Sequence, residues 1–168
     1  MISRRLNKCL YISLFIFVFL FVLGGCMSAR IRPMYALNRY FIQSNNIYRE
    51  PLLGNQWLAI LVNNQGKEKI ELINLKNRKR VLLPGINRRD SQPISVSVNA
   101  NGERLAFIHK RLDKTELFLY KRNSGTLQRL EITPKGVPSR VSMDGSGKVL
   151  AVQVSRNGRW FVDVIRLK

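Results

Sequence analysis

From about residue 49 onward, short runs of Val, Ile, Leu and Phe alternate with clusters of Asn, Gly, Asp and Ser. Short apolar and β-branched runs bounded by such turn-forming residues are typical of β-strands. No long stretch shows the periodicity of an amphipathic helix. The pattern therefore predicts an all-β domain over residues 49–168.

The strand pattern repeats along the chain. Residues 93–106 and 138–151 match at a constant offset of 45 positions, without a gap. An earlier and weaker copy surrounds Leu58-Ala59, at an offset of 47. The positions shared by the two stronger copies are, in the first of them, Pro93, Val96, Ser97, Gly102, Leu105 and Ala106.

Each Leu-Ala pair is followed about twelve residues later by another apolar run. In the first two copies one more apolar run comes after it, which would be the fourth strand of the unit. The repeating unit is therefore three or four antiparallel strands, which is the size of a propeller blade. One such sheet cannot bury both faces, so the units must stack. We predict units at 49–90, 91–135 and 136–168, with Gly102 and Gly147 in equivalent turns and Leu105 and Leu150 buried.

The pattern Pro-x-x-Val-Ser, followed by Asn/Ser-Gly-x-x-Leu-Ala-Phe/Val, resembles the repeat of TolB-like β-propellers. TolB is the periplasmic propeller of the Tol biopolymer-transport system. The resemblance implies about three TolB-like blades and a role in protein–protein contact at the cell envelope. It covers residues 93–168 reasonably and 50–83 faintly. A repeat of this kind specifies fold better than function.

The amino terminus has the three parts of a secretory signal. Met1 to Lys8 is basic, Leu10 to Leu23 is almost wholly apolar, and small residues follow. The run Leu23-Gly24-Gly25-Cys26 resembles the bacterial lipobox, which implies a cleaved signal over 1–25 and lipid attachment at Cys26. An uncleaved membrane helix over 10–27 is the alternative. Either anchor predicts an exported domain facing the periplasm or the cell exterior.

Residues 26–48 separate the predicted anchor from the repeats. This segment contains Arg30, Arg32 and Arg39 and several aromatic residues. Cations this close to a membrane favour anionic lipid head groups, although an ordinary solvated linker has the same composition. We predict a lipidated tether and possible first strand here.

The residues that carry chemistry are few and scattered. After cleavage Cys26 has no cysteine partner, which excludes an intrachain disulfide and a cysteine-rich metal site. The lone histidine, His109, lies between a strand and two cations, so we expect a surface residue. Serines at 97 and 142 recur with the repeat and are expected to be structural. The sequence therefore predicts a protein that is not an enzyme and has no cofactor or metal.

Charge adds a second functional hypothesis. The chain has 29 Lys and Arg against 10 Asp and Glu, and only three of these cations fall within residues 1–25, leaving a net charge of +16 beyond them. We therefore predict an anion-binding surface as the alternative function, with envelope lipids or polymers as partners and nucleic acid excluded by export. Its candidate residues occupy turns and strand ends: Arg78, Lys79, Arg80, Arg88, Arg89, Lys110, Arg111, Lys121 and Arg122.

The number of units bears on assembly. Three blades cannot close a ring, and the last unit lacks a fourth strand in the sequence pattern. Unpaired edges and apolar faces are normally covered. We therefore expect one of two remedies. The segment Tyr35 to Ile47 folds back and supplies the missing strand or covers a sheet face, or a homo-oligomer or partner protein completes the array.

Overall fold

A computed structural model describes residues 32–167. Within this range the chain forms one helix and eleven strands. The helix is α1 (Tyr35–Gln43), and the strands are β1 (Ile47–Gly54), β2 (Trp57–Asn64), β3 (Lys67–Asn74), β4 (Lys79–Val81), β5 (Gln92–Val98), β6 (Arg104–Arg111), β7 (Lys114–Lys121), β8 (Thr126–Leu130), β9 (Val137–Met143), β10 (Val149–Arg156) and β11 (Arg159–Arg166).

The strands form three separate antiparallel sheets. Sheet 1 has the order β1-β2-β3-β4, sheet 2 the order β5-β6-β7-β8, and sheet 3 the order β9-β10-β11. Each sheet is a meander in which consecutive strands pair. The all-β fold of about three blade-like units is therefore confirmed, and the third unit has three strands among the described residues.

The sheets stack through apolar faces that repeat with the sequence. In sheet 1 the cross-strand pairs Ala59–Leu72 and Leu61–Ile70 lie on one side, here called the back face. This face packs on the front face of sheet 2, which presents Phe107 among its large buried side chains. Sheet-on-sheet packing of this kind buries both inner surfaces from water.

Sheet 2 packs on sheet 3 in the same way. Its back face carries the pairs Ala106–Leu119 and Ile108–Leu117, one repeat after the pairs of sheet 1. It packs on the front face of sheet 3, which includes Leu150, Val152 and Val154, all fully buried. The small Ala106 has no exposed surface and allows the two sheets to approach closely.

The turn glycines occupy equivalent positions, as the repeat predicts. Gly102 and Gly147 have φ angles of 71° and 72°, a conformation that other residues adopt with strain. Space also requires glycine at 102, because a Cβ atom there would lie 2.4 Å from the Trp57 ring. The Arg122 guanidinium covers the same ring, 4.8 Å from its centroid.

Two serines of β5 join it to the next sheet, and one of them, Ser97, is a repeat serine expected to be structural. The hydroxyl of Ser97 accepts a hydrogen bond from the backbone N–H of Met143 at 2.9 Å. The hydroxyl of Ser95 accepts one from the N–H of Val141 at 3.2 Å. Buried backbone donors need such partners, so these bonds set the position of β9 against β5.

A helix occupies part of the segment expected as a tether and possible first strand. Residues 35–43 form α1, and the first strand begins only at Ile47. Leu37 and Phe41 lie four positions apart, so a helix places them on one side. They pack against Leu58 and Ile73 on the front face of sheet 1. The segment therefore covers a sheet face as a helix, where a possible first strand was expected.

The predicted signal, its lipobox and the alternative membrane helix over 10–27 all lie outside the described residues. Among residues 32–167 no helix has the length and apolar composition required to span a bilayer.

Leu105 has no exposed surface at the seam between sheets 1 and 2. We predict that Leu105→Ala lowers the free energy of unfolding by about 2–5 kcal/mol, because it removes apolar contacts and leaves a cavity. Leu53→Ala is the matched control, since Leu53 is 70% exposed. Urea denaturation of both variants measures the difference, and equal losses would contradict the stacked-sheet core.

Candidate interaction surfaces

The back face of sheet 3 is exposed, and we call it the open face. It carries the cross-strand pairs Ala151–Val164 and Gln153–Val162. These pairs lie one repeat after those of the sheet 2 back face, which sheet 3 covers. On the open face Val162 is 69% exposed and Val164 72% exposed, and Trp160 beside them is 61% exposed.

The open face also offers hydrogen-bonding groups for a further strand. Ser142 is exposed and lies one repeat after Ser97, whose hydroxyl accepts a backbone N–H of the next sheet. Among the described residues, β11 pairs with β10 on one side and with no strand on the other. Its outer backbone N–H and C=O groups are thus available to a partner.

The charges around the open face are basic. The strand register places Arg140 and Arg166 on the same face as the exposed valines. The Asp163 carboxylate lies on the opposite face, where it accepts a hydrogen bond from Arg156 Nη1 at 3.0 Å. This hydrogen bond lowers the pKa of Asp163 below its usual value. None of the described strand residues on the open face is acidic.

A concave surface lies at the seam between sheets 1 and 2, and we call it the basic cleft. The cleft has a volume of about 740 Å³. It is lined by the β2–β3 hairpin, by the loop before β5 and by the end of β6. The five cations among its lining residues outnumber the two acids, and they are Lys67, Lys69, Arg88, Arg89 and Lys110.

The structure brings four of the predicted anion-binding residues close together here. Arg88, Arg89 and Lys110 line the cleft. Arg111 lies beside them, because its guanidinium pairs with Asp90 at 2.7 Å. The Nε atom of Arg88 approaches the same carboxylate at 3.4 Å. Arg88 and Arg111 are therefore partly neutralised.

The other predicted cations lie at two separate places. Arg78, Lys79 and Arg80 are in the turn before β4 and in that strand, where Arg80 pairs with Glu71 at 3.1 Å. Lys121 ends β7, and Arg122 follows it. Arg122 Nε donates a hydrogen bond to the Gly102 carbonyl at 2.7 Å, as expected for a structural contact.

His109 is buried, so the expectation of a surface residue is wrong. Its side chain lies on the front face of sheet 2, with its ring centroid 4.6 Å from Phe107 and 6.0 Å from Phe118. Burial is the largest influence on this group and lowers the pKa of His109 to about 4. The alternation of side chains along β6 could have predicted this burial, because His109 lies on the same face of the strand as Leu105 and Phe107.

The side chains of the described residues form no group of three or more His, Cys, Asp or Glu suited to a metal ion. Glu71 is buried and lies 3.0 Å from Lys69 Nζ, so it belongs to an ion pair within sheet 1. Asp144 lies in the turn before β10. Hydrogen bonds from Ser146 and from backbone N–H groups lower the pKa of its carboxyl to about 2.

Comparison with solved structures places the described architecture among β-propellers. TolB from Acinetobacter baumannii is similar with a TM-score of 0.58 and 14% identity, over 73% of this chain and 32% of that chain. A TolB candidate from Agrobacterium tumefaciens has a TM-score of 0.52 and 18% identity, over 66% and 39%. The β-propeller domain of the Trilobed protease from Pyrococcus furiosus has a TM-score of 0.51 and 13% identity, over 72% and 41%.

These similarities concern the fold alone. The chain spans well under half the length of each of these three structures. No family model matches the sequence, and no curated protein matches it. The chain thus has a partial TolB-like propeller fold, which occurs in TolB and also within a protease.

The buried histidine makes stability depend on pH. The pKa of His109 falls from 6.5 to about 4 on folding, so in this window the unfolded chain binds a proton that the folded chain does not. The stability that the neutral imidazole contributes is complete above pH 6.5. It falls as the unfolded chain takes up its proton and is gone by about pH 4. Urea denaturation at several pH values should show this loss, and His109→Phe should reduce it by keeping a neutral ring. Identical profiles for the two proteins would contradict the assignment.

Proposed function

We propose that this chain is an exported, lipid-anchored, non-catalytic protein of the cell envelope that binds another protein through the open face of sheet 3. The observation that carries the proposal is the exposure of Val162 and Val164, whose counterparts in sheets 1 and 2 are buried beneath a neighbouring sheet. Contiguous exposed apolar surface of this kind marks interaction sites.

The occupant that fits this face is an apolar β-sheet face of a different protein. Both intrachain seams are filled by large apolar side chains from the front face of the next sheet. Ser142 offers the acceptor that Ser97 uses in the seam before it. An apolar sheet face would therefore cover the exposed valines and also supply a backbone N–H for the Ser142 hydroxyl.

A second copy of this chain fits less well. Its sheet 1 front face packs against α1 through Leu37 and Phe41. The front faces of sheets 2 and 3 are covered by their preceding sheets. Arg166 lies on the open face, and Arg140 beside it is partly neutralised by Glu50, 3.9 Å away. The remaining positive charge opposes the approach of another basic chain. The favoured partner accordingly has an acidic rim around its apolar face.

The non-catalytic part of the proposal rests on the distribution of reactive groups. His109 is buried between two phenylalanines, and the described acids that have partners serve ion pairs or turns. The propeller architecture itself decides nothing here, since it is found both in TolB and in a protease.

The lipid anchor is tested at Cys26. We predict that Cys26→Ser abolishes lipid labelling and leaves an uncleaved precursor, because the thiol is the acceptor that the lipobox resemblance implies. Metabolic labelling with a fatty acid and electrophoretic mobility measure both effects. Cys9→Ser is the matched control and should be processed normally. A Cys26→Ser protein that is cut and remains membrane-bound would contradict the lipoprotein assignment.

The open face is tested by a photo-crosslinking residue placed at Val164 in the full chain, in its own membranes. We predict one discrete adduct with a different protein, formed also at raised salt because the contact is mainly apolar. The same photo-crosslinking residue placed at Leu82 should give no such adduct. Leu82 directly follows β4 of sheet 1 and is 91% exposed.

Two further measurements complete this test. The substitution Trp160→Ser removes the largest apolar side chain of the open face and should strongly reduce the Val164 adduct. An adduct of twice the chain mass would instead identify a second copy as the occupant. Equal labelling from Leu82 would show that the open face is not a docking site.

A further inference from the structure

The basic cleft contains six polar side chains that have no hydrogen-bond or ion-pair partner among residues 32–167. Three are cationic and three are neutral, and all of them line the same concavity: Lys67, Arg89, Lys110, Asn64, Gln65 and Ser91. The cleft lies at the seam of sheets 1 and 2, away from the open face of sheet 3.

The two acids in the cleft are already paired. Glu68 accepts hydrogen bonds from Arg49 and, at 2.8 Å, from Gln92 Nε2. Asp90 pairs with Arg111 at 2.7 Å and lies 3.4 Å from Arg88. Arg49 and Arg111 are not among the lining residues, so they neutralise these carboxylates from outside. The remaining potential of the cleft is therefore positive.

The neutral side chains of the cleft fall into two sets. Some make hydrogen bonds within the fold, and others have no partner among the described residues. Asn87 is used, because its amide bonds both the N–H and the carbonyl of Ile70, at 2.7 and 2.9 Å. Ser91 also lines the cleft, and its Oγ atom is buried without a partner, so rotation about χ1 is what would bring it to a ligand. A buried hydroxyl without a hydrogen bond is unfavourable, and a ligand polar atom would relieve this cost.

We propose that the basic cleft binds an acidic oligosaccharide. Lys and Arg pair with the carboxylate groups of such a chain, and the amides of Asn64 and Gln65 and the hydroxyl of Ser91 match sugar hydroxyls. A volume of about 740 Å³ is that of an ordinary small-molecule site. This site is independent of the protein-binding function assigned to sheet 3.

The shape and lining favour a saccharide over other anionic partners. A bilayer presents a plane of head groups, which meets convex or flat basic surfaces more readily than a concave cleft between two sheets. Single-stranded nucleic acid is bound largely by stacking of bases on aromatic side chains, and the lining residues include no Phe, Tyr or Trp. The combination of cations with amides is typical of a ligand rich in hydroxyls and carboxylates.

The test measures binding of tetragalacturonic acid to the full chain in a neutral detergent, by calorimetry at moderate salt. Lys67→Gln, Arg89→Gln and Lys110→Gln combined should weaken binding by roughly tenfold or more, since three favourable charge interactions are removed. The matched control combines Arg78→Gln, Lys79→Gln and Lys121→Gln. It removes the same net charge outside the cleft and should change affinity by less than about twofold.

Further probes distinguish the possible sources of binding. Ser91→Ala should weaken binding of the saccharide while leaving net charge unchanged. Maltotetraose, which has no charge, should bind far more weakly than tetragalacturonic acid. Inorganic tetraphosphate and vesicles of phosphatidylglycerol should not compete at equal charge concentration. Comparable losses in both triple variants would overturn the cleft as a site, and tighter binding of tetraphosphate or vesicles would overturn the saccharide assignment.

Discussion

The structure depends on the contact between the back face of one sheet and the front face of the next. A meander of three or four short strands has two faces, and neither can be buried within the sheet itself. Here Ala59 and Leu72 of sheet 1 lie against the large side chains of sheet 2, and Ala106 and Leu117 of sheet 2 lie against those of sheet 3. The seam between sheets 2 and 3 is reinforced by Ser95 and Ser97, which join β5 to β9.

This contact determines what happens at the two ends of the stack. At the front of sheet 1, helix α1 supplies Leu37 and Phe41 as a cover for Leu58 and Ile73. At the back of sheet 3, Val162 and Val164 are exposed although their counterparts, Leu117 and Leu119, are buried. One end of the described array is therefore covered by its own chain, and the other exposes apolar side chains at positions that are buried between the other sheets. The proposed protein interface follows directly from this asymmetry.

Many of the cationic residues lie outside the apolar sheet faces. They concentrate in turns and at strand ends, where Arg122 and Arg80 serve local contacts with Trp57 and Glu71. At the seam between sheets 1 and 2, Lys67, Arg89 and Lys110 line a cleft instead. A chain with so high a positive charge can thus hold two different surfaces, an apolar one on sheet 3 and a basic one between sheets 1 and 2.

Local pattern and repetition in the sequence determined the strands, the three units and the equivalent turns, because alternation and the glycine turns at 102 and 147 depend on neighbouring residues. They also predicted that Leu105 and Leu150 are buried. Only the tertiary structure decided that 35–43 is helical, since that helix is stabilised by contact with a distant sheet face. The same holds for the cleft, which joins residues from the β2–β3 hairpin, the loop before β5 and the end of β6. Such positions depend on how sheets stack, and a single run of residues does not contain that information.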